Sequence, residues 1–191
     1  MNLPNKLTVL RIILVPFMIA ALLIPFPHHV LVAGLIFGAA SITDMLDGKI
    51  ARKRNLITAF GKFADPLADK ILVIASLICF VALGWCDPVL PIVVLFREFA
   101  VSSIRLVAVN NGGEVVAANM WGKCKTASQM VGIVFALGVL AFFEFVKSVD
   151  VEIIFTLHYV IIALFWLSAV LCAVSGAIYI WNGRKYIANA K

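Results

Sequence analysis

Four aspartates that lie in two closely spaced pairs are the residues of this sequence best suited to chemistry. Asp44 and Asp47 are three positions apart, and Asp65 and Asp69 are four positions apart. Residues with these spacings share one face of an α-helix, so each pair would direct both carboxylates the same way. A short connection between the two helices would make them antiparallel neighbours. The spacing therefore predicts one site that contains four carboxylates.

Carboxylates gathered this closely repel one another and raise one another's pKa unless cations neutralise them. Hard divalent ions with oxygen ligands do this well, so we expect one or two Mg²⁺ or Mn²⁺ ions at the site. Two metal ions about 3.5 to 4 Å apart form a known clamp for the attacking and leaving oxygens of phosphoryl transfer. An aspartate that does not saturate the metals could take a proton from an incoming hydroxyl. The chemistry predicted is metal-dependent phosphoryl transfer.

Small residues accompany the acids at helical spacing. Gly48 and Ala51 continue the stripe of the first aspartate pair, and Gly61 lies about one turn before the second pair. Missing side chains allow a bulky ligand such as a nucleotide to approach the backbone closely. Pro66 biases the preceding residue, Asp65, away from helical geometry, so Gly61 is expected in the turn between the helices. The small residues favour a ligand site.

A simpler interpretation is that the acids only form salt bridges in a solvated loop. Nearby basic residues are available for this: Arg52, Lys53, Arg54, Lys62 and Lys70. Such pairing accounts for the charges, but it does not account for the small residues or for four acids that share helical faces in an apolar protein. The metal site is the better interpretation.

The composition shows which elements must position this site. The 191 residues are 63% hydrophobic and only 14% charged, which is far more apolar than one soluble core requires. A bilayer core about 30 Å thick needs roughly 20 apolar residues per helical crossing. Apolar runs and their breaks predict spans at about 7–26, 29–52, 62–84, 88–109, 121–146 and 152–183. Residues 1–191 are therefore predicted to form a single all-α membrane domain with six transmembrane helices.

Basic residues fall mainly on one side of these spans. They are Lys6, Arg11, Lys49, Arg52, Lys53, Arg54, Lys62, Lys70, Arg105, Lys123, Lys125, Arg184, Lys185 and Lys191. Only Lys147 falls on the other side. Because Lys and Arg concentrate in cytoplasmic loops, both termini are expected in the cytoplasm. This topology explains most of the net charge of +6, so no nucleic-acid partner is expected.

The N-terminal segment bears on the compartment of the protein, and the cysteines bear on its packing. The first apolar stretch has no small-residue cleavage site and is followed by further spans, so it is expected to be a retained helix. No long presequence rich in Arg and Ser precedes it, which favours a bacterial plasma membrane. The four cysteines lack metal-ligand spacing and are expected to be free thiols in the packing: Cys79, Cys86, Cys124 and Cys172.

The spacing from Asp44 to Asp69, D-x2-D-G-x2-A-R-x8-G-x3-D-x3-D, resembles the signature of the CDP-alcohol phosphatidyltransferase family and departs from it nowhere. That family transfers a phosphatidyl or related group from a CDP-linked donor to an alcohol and releases CMP. The resemblance implies that Asp44, Asp47 and Asp65 are metal ligands and that Asp69 is both a ligand and the general base. It also implies the rest of the site: Gly48, Ala51 and Arg52 line the cytidine nucleotide pocket, and Gly61 completes the loop between the motif halves.

Polar residues inside the later spans bear on the acceptor alcohol. Arg97 and Glu98 lie well inside the fourth span, where a charge needs a function or a partner. A mutual or interhelical ion pair remains open for them. Arg97 could form a phosphate-binding pocket together with residues on the same membrane side, three of them cationic: Arg105, Lys123, Lys125 and Thr126. For Lys123 alone, the excess of basic residues in cytoplasmic loops is sufficient explanation.

Three segments, residues 4–11, 97–105 and 122–129, resemble the phosphatidylglycerophosphate synthases within the family. This resemblance implies CDP-diacylglycerol as donor and sn-glycerol 3-phosphate as acceptor, and it adds Asn5, Thr8 and Arg11 to the acceptor contacts. Helix capping is the simpler explanation for Asn5 and Thr8. Members of the family are commonly homodimers, so a homodimer is also expected.

Two other functions remain open at this point. A sister enzyme would use the same chemistry with inositol phosphate, serine or another alcohol. A divalent-cation transporter would use intramembrane acids as a transport path, but it predicts acids at several depths, whereas the four aspartates cluster at one end.

Overall fold

The computed structural model describes residues 2–54, 59–110, 120–146 and 148–188. Within these ranges, the side chains of residues 3–4, 47–54, 59–66, 69, 105–110 and 182–188 lie outside the description. Six α-helices follow one another: α1 (Leu3–Leu23), α2 (His29–Arg54), α3 (Ala59–Ala82), α4 (Val89–Asn110), α5 (Met120–Phe145) and α6 (Val151–Ala188). The all-α prediction is confirmed.

Four of the helices contain stretches that are long and apolar enough to cross a membrane: Asn5–Leu23, His29–Leu46, Met120–Phe145 and Val151–Trp181. In the described part of the chain, α3 adds a shorter apolar stretch, Lys70–Ala82. The outer faces of the bundle are also apolar, since Phe17, Leu35 and Phe96 are each more than 60% exposed. Contiguous apolar surface of this kind needs a lipid environment. The chain is therefore an integral membrane protein, and the count of six spans remains a prediction.

The helices pack as two groups that meet along α2 and α5. Helix α1 lies against α2 and α3, and α6 lies against α4 and α5. Fully buried Met18, Phe37, Phe80 and Phe165 contribute to one continuous apolar core. At Gly132 of α5, a Cβ atom would lie 3.1 Å from Cδ1 of Phe165 on α6. The glycine therefore lets these two helices approach closely, as small residues do in membrane bundles.

One prediction about the motif region is wrong. Helix α3 begins at Ala59, so Gly61, Asp65 and Pro66 all lie within the helix, and Gly61 is not part of the connecting turn. A proline disfavours helical geometry in the residue before it without forbidding it. Membrane helices in particular tolerate internal prolines, and Pro16 lies inside α1 in the same way.

Polar and aromatic contacts show which helix ends lie together. At one end, His29 Nδ1 lies 3.0 Å from the carbonyl oxygen of Ala21, and His29 Nε2 lies 3.1 Å from Glu144 Oε1. The ring of Trp85 also contacts that of His158 at this end, with centroids 4.8 Å apart. These contacts join the ends of α1, α3 and α5 to the starts of α2 and α6. We call this the opposite end, and the end that contains Asp44 the motif end.

Candidate functional site

Asp44 is the motif aspartate whose side chain the structure describes. Its Oδ1 atom lies 2.7 Å from Nη1 of Arg11. The arginine side chain is fully buried in α1, whereas the carboxylate of Asp44 on α2 is 45% exposed. A buried guanidinium needs an anionic partner, so this ion pair fixes α1 against α2. It also holds Asp44 in place while leaving the carboxylate accessible from the surface.

The other motif residues are placed by their backbones alone. Asp47 lies in α2, and Asp65 and Asp69 lie one turn apart in α3, which contacts α2. Their side chains lie outside the description, together with those of Gly48, Ala51, Arg52 and Gly61. Among the described residues, no three His, Cys, Asp or Glu side chains are close enough to hold a metal ion. The metal ligands and the nucleotide pocket therefore remain predictions.

A second charged group surrounds the carboxylate of Glu98 on α4. Its Oε1 atom accepts a hydrogen bond from Nη1 of Arg97 at 2.9 Å and a short one from Nζ of Lys125 on α5. Its Oε2 atom lies 3.6 Å from Nζ of Lys70 on α3. We call these four residues the Glu98 cluster. Among the described side chains, three cations surround one carboxylate, which leaves two surplus positive charges.

Neutral residues complete the surroundings of the cluster. Nζ of Lys70 donates to Ser102 Oγ at 2.6 Å, and Nη2 of Arg97 donates to Ser175 Oγ on α6 at 2.8 Å. Beside Ser175, a Cβ atom on Gly176 would lie only 2.9 Å from Cγ of Arg97. The glycine thus makes room for the arginine stem against α6. The cluster thereby joins α3, α4, α5 and α6 at the motif end.

Buried donors without acceptors lie next to these charges. Within the described structure, Nε2 of Gln129 and Nε of Arg97 are buried and have no hydrogen-bond partner. A small void of about 30 Å³ lies among α3, α4 and α5. Its lining residues are Lys70, Val73, Ile74, Val94, Glu98, Lys125, Thr126 and Gln129. Such a volume holds about one water molecule or one oxygen atom of a larger ligand.

A larger groove of about 490 Å³ lies between α3 and α4. Its walls are mainly apolar, and Lys70, Glu98 and Ser102 contribute its polar atoms. The Glu98 cluster thus borders both a small void with charged and polar lining residues and a larger apolar groove. This position suits a site at which a water-soluble molecule meets a lipid.

The residues predicted to bind the acceptor phosphate divide into groups. Arg97 and Lys125 come together on Glu98, so the interhelical ion pair considered from the sequence is present. Arg11 instead pairs with Asp44, and Asn5 and Thr8 are buried near it on α1.

Three predicted contacts remain, Lys123, Thr126 and Arg105, of which Thr126 lines the small void beside Glu98. Lys123 and Thr126 are exposed on α5, where Thr126 Oγ1 donates to the carbonyl oxygen of Gly122 at 3.1 Å. The side chain of Arg105 is outside the described residues.

Sequence reasoning missed two of the residues around the void. Lys70 was assigned only to the basic side of the topology or to pairing with the motif acids, whereas its amine contacts Glu98 and Ser102. Gln129 was considered only as the last residue of the segment 122–129. A signal was present, because Lys125 and Gln129 are four positions apart and therefore share a face of a largely apolar helix.

Comparison with known proteins identifies the family. Residues 1–181 match the sequence profile of the CDP-alcohol phosphatidyltransferases. Curated relatives named CDP-diacylglycerol--glycerol-3-phosphate 3-phosphatidyltransferase are similar to this chain. The one from Bacillus subtilis (strain 168) is 46% identical over 144 residues, which cover 69% of this chain and 74% of the relative.

Two further relatives of the same name match over nearly the whole chain. The one from Rickettsia bellii (strain RML369-C) is 38% identical over 189 residues, 97% of each protein. The one from Salmonella typhimurium (strain LT2) is 34% identical over 193 residues, which cover 100% of this chain and 95% of the relative. By the profile match and by these full-length similarities, the chain belongs to the CDP-alcohol phosphatidyltransferase family.

Proposed function

We propose that this chain transfers the phosphatidyl group from CDP-diacylglycerol to sn-glycerol 3-phosphate, forming phosphatidylglycerol phosphate and CMP. The relatives named for this reaction support the choice of substrates. The structural observation that carries it is the Glu98 cluster, which has surplus positive charge at the end of the bundle that contains Asp44. A cationic site suits an acceptor that carries phosphate.

The proposal includes a topology. All six helices would cross the membrane, with both termini and the motif end in the cytoplasm, in a bacterial plasma membrane. The one-sided distribution of Lys and Arg supports this orientation. Glycerol 3-phosphate and CMP are water-soluble, so a cytoplasmic site would exchange them directly, while the lipid donor and product stay in the bilayer. A homodimer is part of the proposal.

Mg²⁺ or Mn²⁺, as two ions, would be held by Asp44, Asp47, Asp65 and Asp69. The donor chemistry fits, because carboxylate oxygens are the ligands that these hard cations prefer. Asp44 supports the assignment, since its carboxylate is fixed by Arg11 and yet 45% exposed. When bound, the ions would neutralise the pyrophosphate and polarise phosphorus.

Individual residues of the chain would have separate roles in the reaction. Asp69 would take the proton from the acceptor hydroxyl, whose oxygen forms the new bond to the phosphorus that carries diacylglycerol. The bond from that phosphorus to the oxygen of the CMP phosphate breaks, and CMP leaves with the electron pair. Gly48, Ala51, Arg52 and Gly61 would hold the cytidine nucleotide.

The acceptor phosphate would bind among the cations near Glu98. A phosphate monoester carries about −1.5 to −2 charges at pH 7, which matches the two surplus positive charges. Arg97 and Lys125 are the predicted contacts that the structure gathers there. Arg105, Lys123 and Thr126 would extend the pocket toward the cytoplasm, and Asn5, Thr8 and Arg11 would border it on α1.

The test is CMP release by the purified protein from CDP-diacylglycerol, measured with glycerol 3-phosphate and with a panel of other alcohols, with and without Mg²⁺ or Mn²⁺. We expect release that requires both the metal and glycerol 3-phosphate. Metal-independent release would contradict the metal assignment, and faster release with serine or an inositol phosphate would identify a sister enzyme. Metal flux into proteoliposomes without CMP release would indicate a transporter.

A further inference from the structure

We propose that Glu98 is the positioning residue of the acceptor site and that Gln129 is a direct ligand of the acceptor phosphate. Glu98 would hold Lys70, Arg97 and Lys125 so that they face one phosphate monoester. The inference rests on the proposed function for the identity of the acceptor. It adds two residues to the predicted contacts, Lys70 and Gln129, and gives a role to the carboxylate that joins them.

The first step is the geometry around Glu98. Its oxygens already contact three cations that come from three helices, so the carboxylate is fully engaged. It would also repel an anion, which excludes it as a phosphate ligand. Without it, three like charges only a few ångströms apart would separate, because their repulsion is strong in a partly buried site. The role that remains for Glu98 is to hold the cations together.

The second step is the charge balance. Lys70 and Arg97 find further partners in Ser102 and Ser175, but both are neutral. The described contacts therefore leave two positive charges uncompensated among side chains that are mostly buried. Unbalanced charge is costly inside a membrane protein and marks a functional site. A dianionic phosphate monoester compensates it.

The third step is the pair of donors without acceptors. Gln129 is 3% exposed and lines the void beside Lys125 and Glu98, and its amide nitrogen has no hydrogen-bond partner among the described residues. Nε of Arg97 is also buried without one. An unsatisfied buried donor is destabilising, and the missing group in both cases is an acceptor. A water molecule in the void could accept one hydrogen bond, but it would leave the surplus charge.

The same reasoning excludes a purely structural ion pair of the kind at the opposite end. There Glu144 contacts His29 and accepts from the backbone nitrogen of Val30 at 3.3 Å. No excess of cations surrounds Glu144 among the described residues. Glu98 and Glu144 are thus two partly buried carboxylates with different surroundings, and they form a matched pair for experiment.

The kinetic test compares Glu98→Gln, Glu98→Asp and Gln129→Glu with the control Glu144→Gln. Because Glu98→Gln removes charge-assisted contacts that hold the cations, it should raise KM for glycerol 3-phosphate about tenfold or more. KM for CDP-diacylglycerol should be unchanged. Glu98→Asp keeps the charge and should recover part of the loss. Gln129→Glu places a negative charge against the phosphate and should raise the same KM, whereas Glu144→Gln should not.

A second measurement does not depend on activity. Ligands that bind the folded state raise Tm by mass action, so inorganic phosphate should stabilise the wild-type protein more than chloride at equal ionic strength. Glu98→Gln and Gln129→Glu should lose this stabilisation. Glu144→Gln should keep it, even if its Tm without phosphate is lower.

The outcomes separate this inference from the proposed function. If Glu98→Gln lowers Tm but leaves KM for glycerol 3-phosphate and the phosphate effect unchanged, Glu98 is only a structural ion-pair partner and the inference is overturned. If the wild type releases no CMP with glycerol 3-phosphate but shows phosphate stabilisation that requires Glu98 and Gln129, the proposed acceptor is wrong and the anion site stands.

Discussion

The two ends of the bundle use similar residues for different purposes. At the opposite end, Glu144 contacts one histidine and one backbone nitrogen, and the aromatic rings of Trp85 and His158 contact each other. At the motif end, Glu98 contacts three cations, and Arg11 is fully buried beside the half-exposed Asp44. The contacts at the opposite end therefore hold helices together. The motif end instead has surplus positive charge around Glu98 and an exposed carboxylate on Asp44.

This difference shows that a buried ion pair does not by itself identify a functional site. The informative features are an excess of cations over carboxylates and buried donors without acceptors. Both features are found around Glu98, and neither is found around Glu144 among the described residues. The following predictions test whether the two ends differ in this way.

The largest effect is expected from the general base. Asp69→Asn removes the carboxylate that would take the proton from the acceptor, and general-base catalysis contributes about 10²- to 10⁴-fold. The rate of CMP release should fall by that factor at saturating substrates, while Tm stays within a few degrees of the wild type. Full activity in this variant would remove Asp69 from the mechanism.

A smaller effect is expected where α6 supports the cluster. Gly176→Ala would place a Cβ atom 2.9 Å from Cγ of Arg97 and shift the guanidinium. Because misplacement by about 1 Å can cost up to about 10²-fold, kcat/KM for glycerol 3-phosphate should fall within that limit. The measurement is steady-state CMP release at varied acceptor concentration.

Gly138→Ala is the matched control, because a Cβ atom there has nothing within 4 Å. Alanine favours a helix over glycine by about 1 kcal/mol, so this variant should be fully active and slightly more stable. Equal loss of activity in both glycine variants would contradict the contact between Arg97 and α6.

At the opposite end, a substitution should lower the stability of the protein and leave its catalytic activity unchanged. Glu144→Gln weakens the contacts to His29 and to the backbone nitrogen of Val30, which should cost about 1–3 kcal/mol. Tm measured in detergent should fall, and KM for both substrates should stay at the wild-type values. A raised KM for glycerol 3-phosphate would show that this end also serves the acceptor.

The smallest effect concerns two thiols that report on exposure. Cys124 is exposed near the start of α5, whereas burial and the neighbouring Asp87 raise the pKa of Cys86 to about 12. At pH 8 a maleimide should therefore label Cys124 and leave Cys86 unmodified, because the exposed thiolate reacts and the buried thiol stays protonated. In sealed inside-out vesicles a membrane-impermeant reagent should reach Cys124. Labelling of Cys124 only from the periplasmic face would reverse the proposed topology.

The helices and the family motif were predictable because each depends on local pattern. Long apolar runs predict the helices to within a few residues, and the spacing of the aspartates identifies the family. The position of Gly61 was not predictable, because the local bias before Pro66 was weaker than the tendency of α3 to continue. The local preference of the residue before a proline did not determine the conformation here, because α3 continues through that position.

The Glu98 cluster was only partly predictable for a different reason. The neighbours Arg97 and Glu98 indicated an ion pair, but Lys70 and Lys125 come from other helices, and sequence spacing does not show which helices meet. Gly176 gave no sign of its role, because that role depends on how Arg97 lies against α6. Contacts between distant segments require the three-dimensional structure.

The most direct test of the central claim is the selectivity of the purified protein between glycerol 3-phosphate and glycerol, measured as the ratio of kcat/KM in CMP release from CDP-diacylglycerol. A site built around a ligand group rejects an analogue that lacks it by about 10⁴-fold, because the buried polar groups are then left without partners. The account predicts a preference of at least about 10³-fold for glycerol 3-phosphate. Equal use of the two alcohols, or a preference for glycerol, would contradict it.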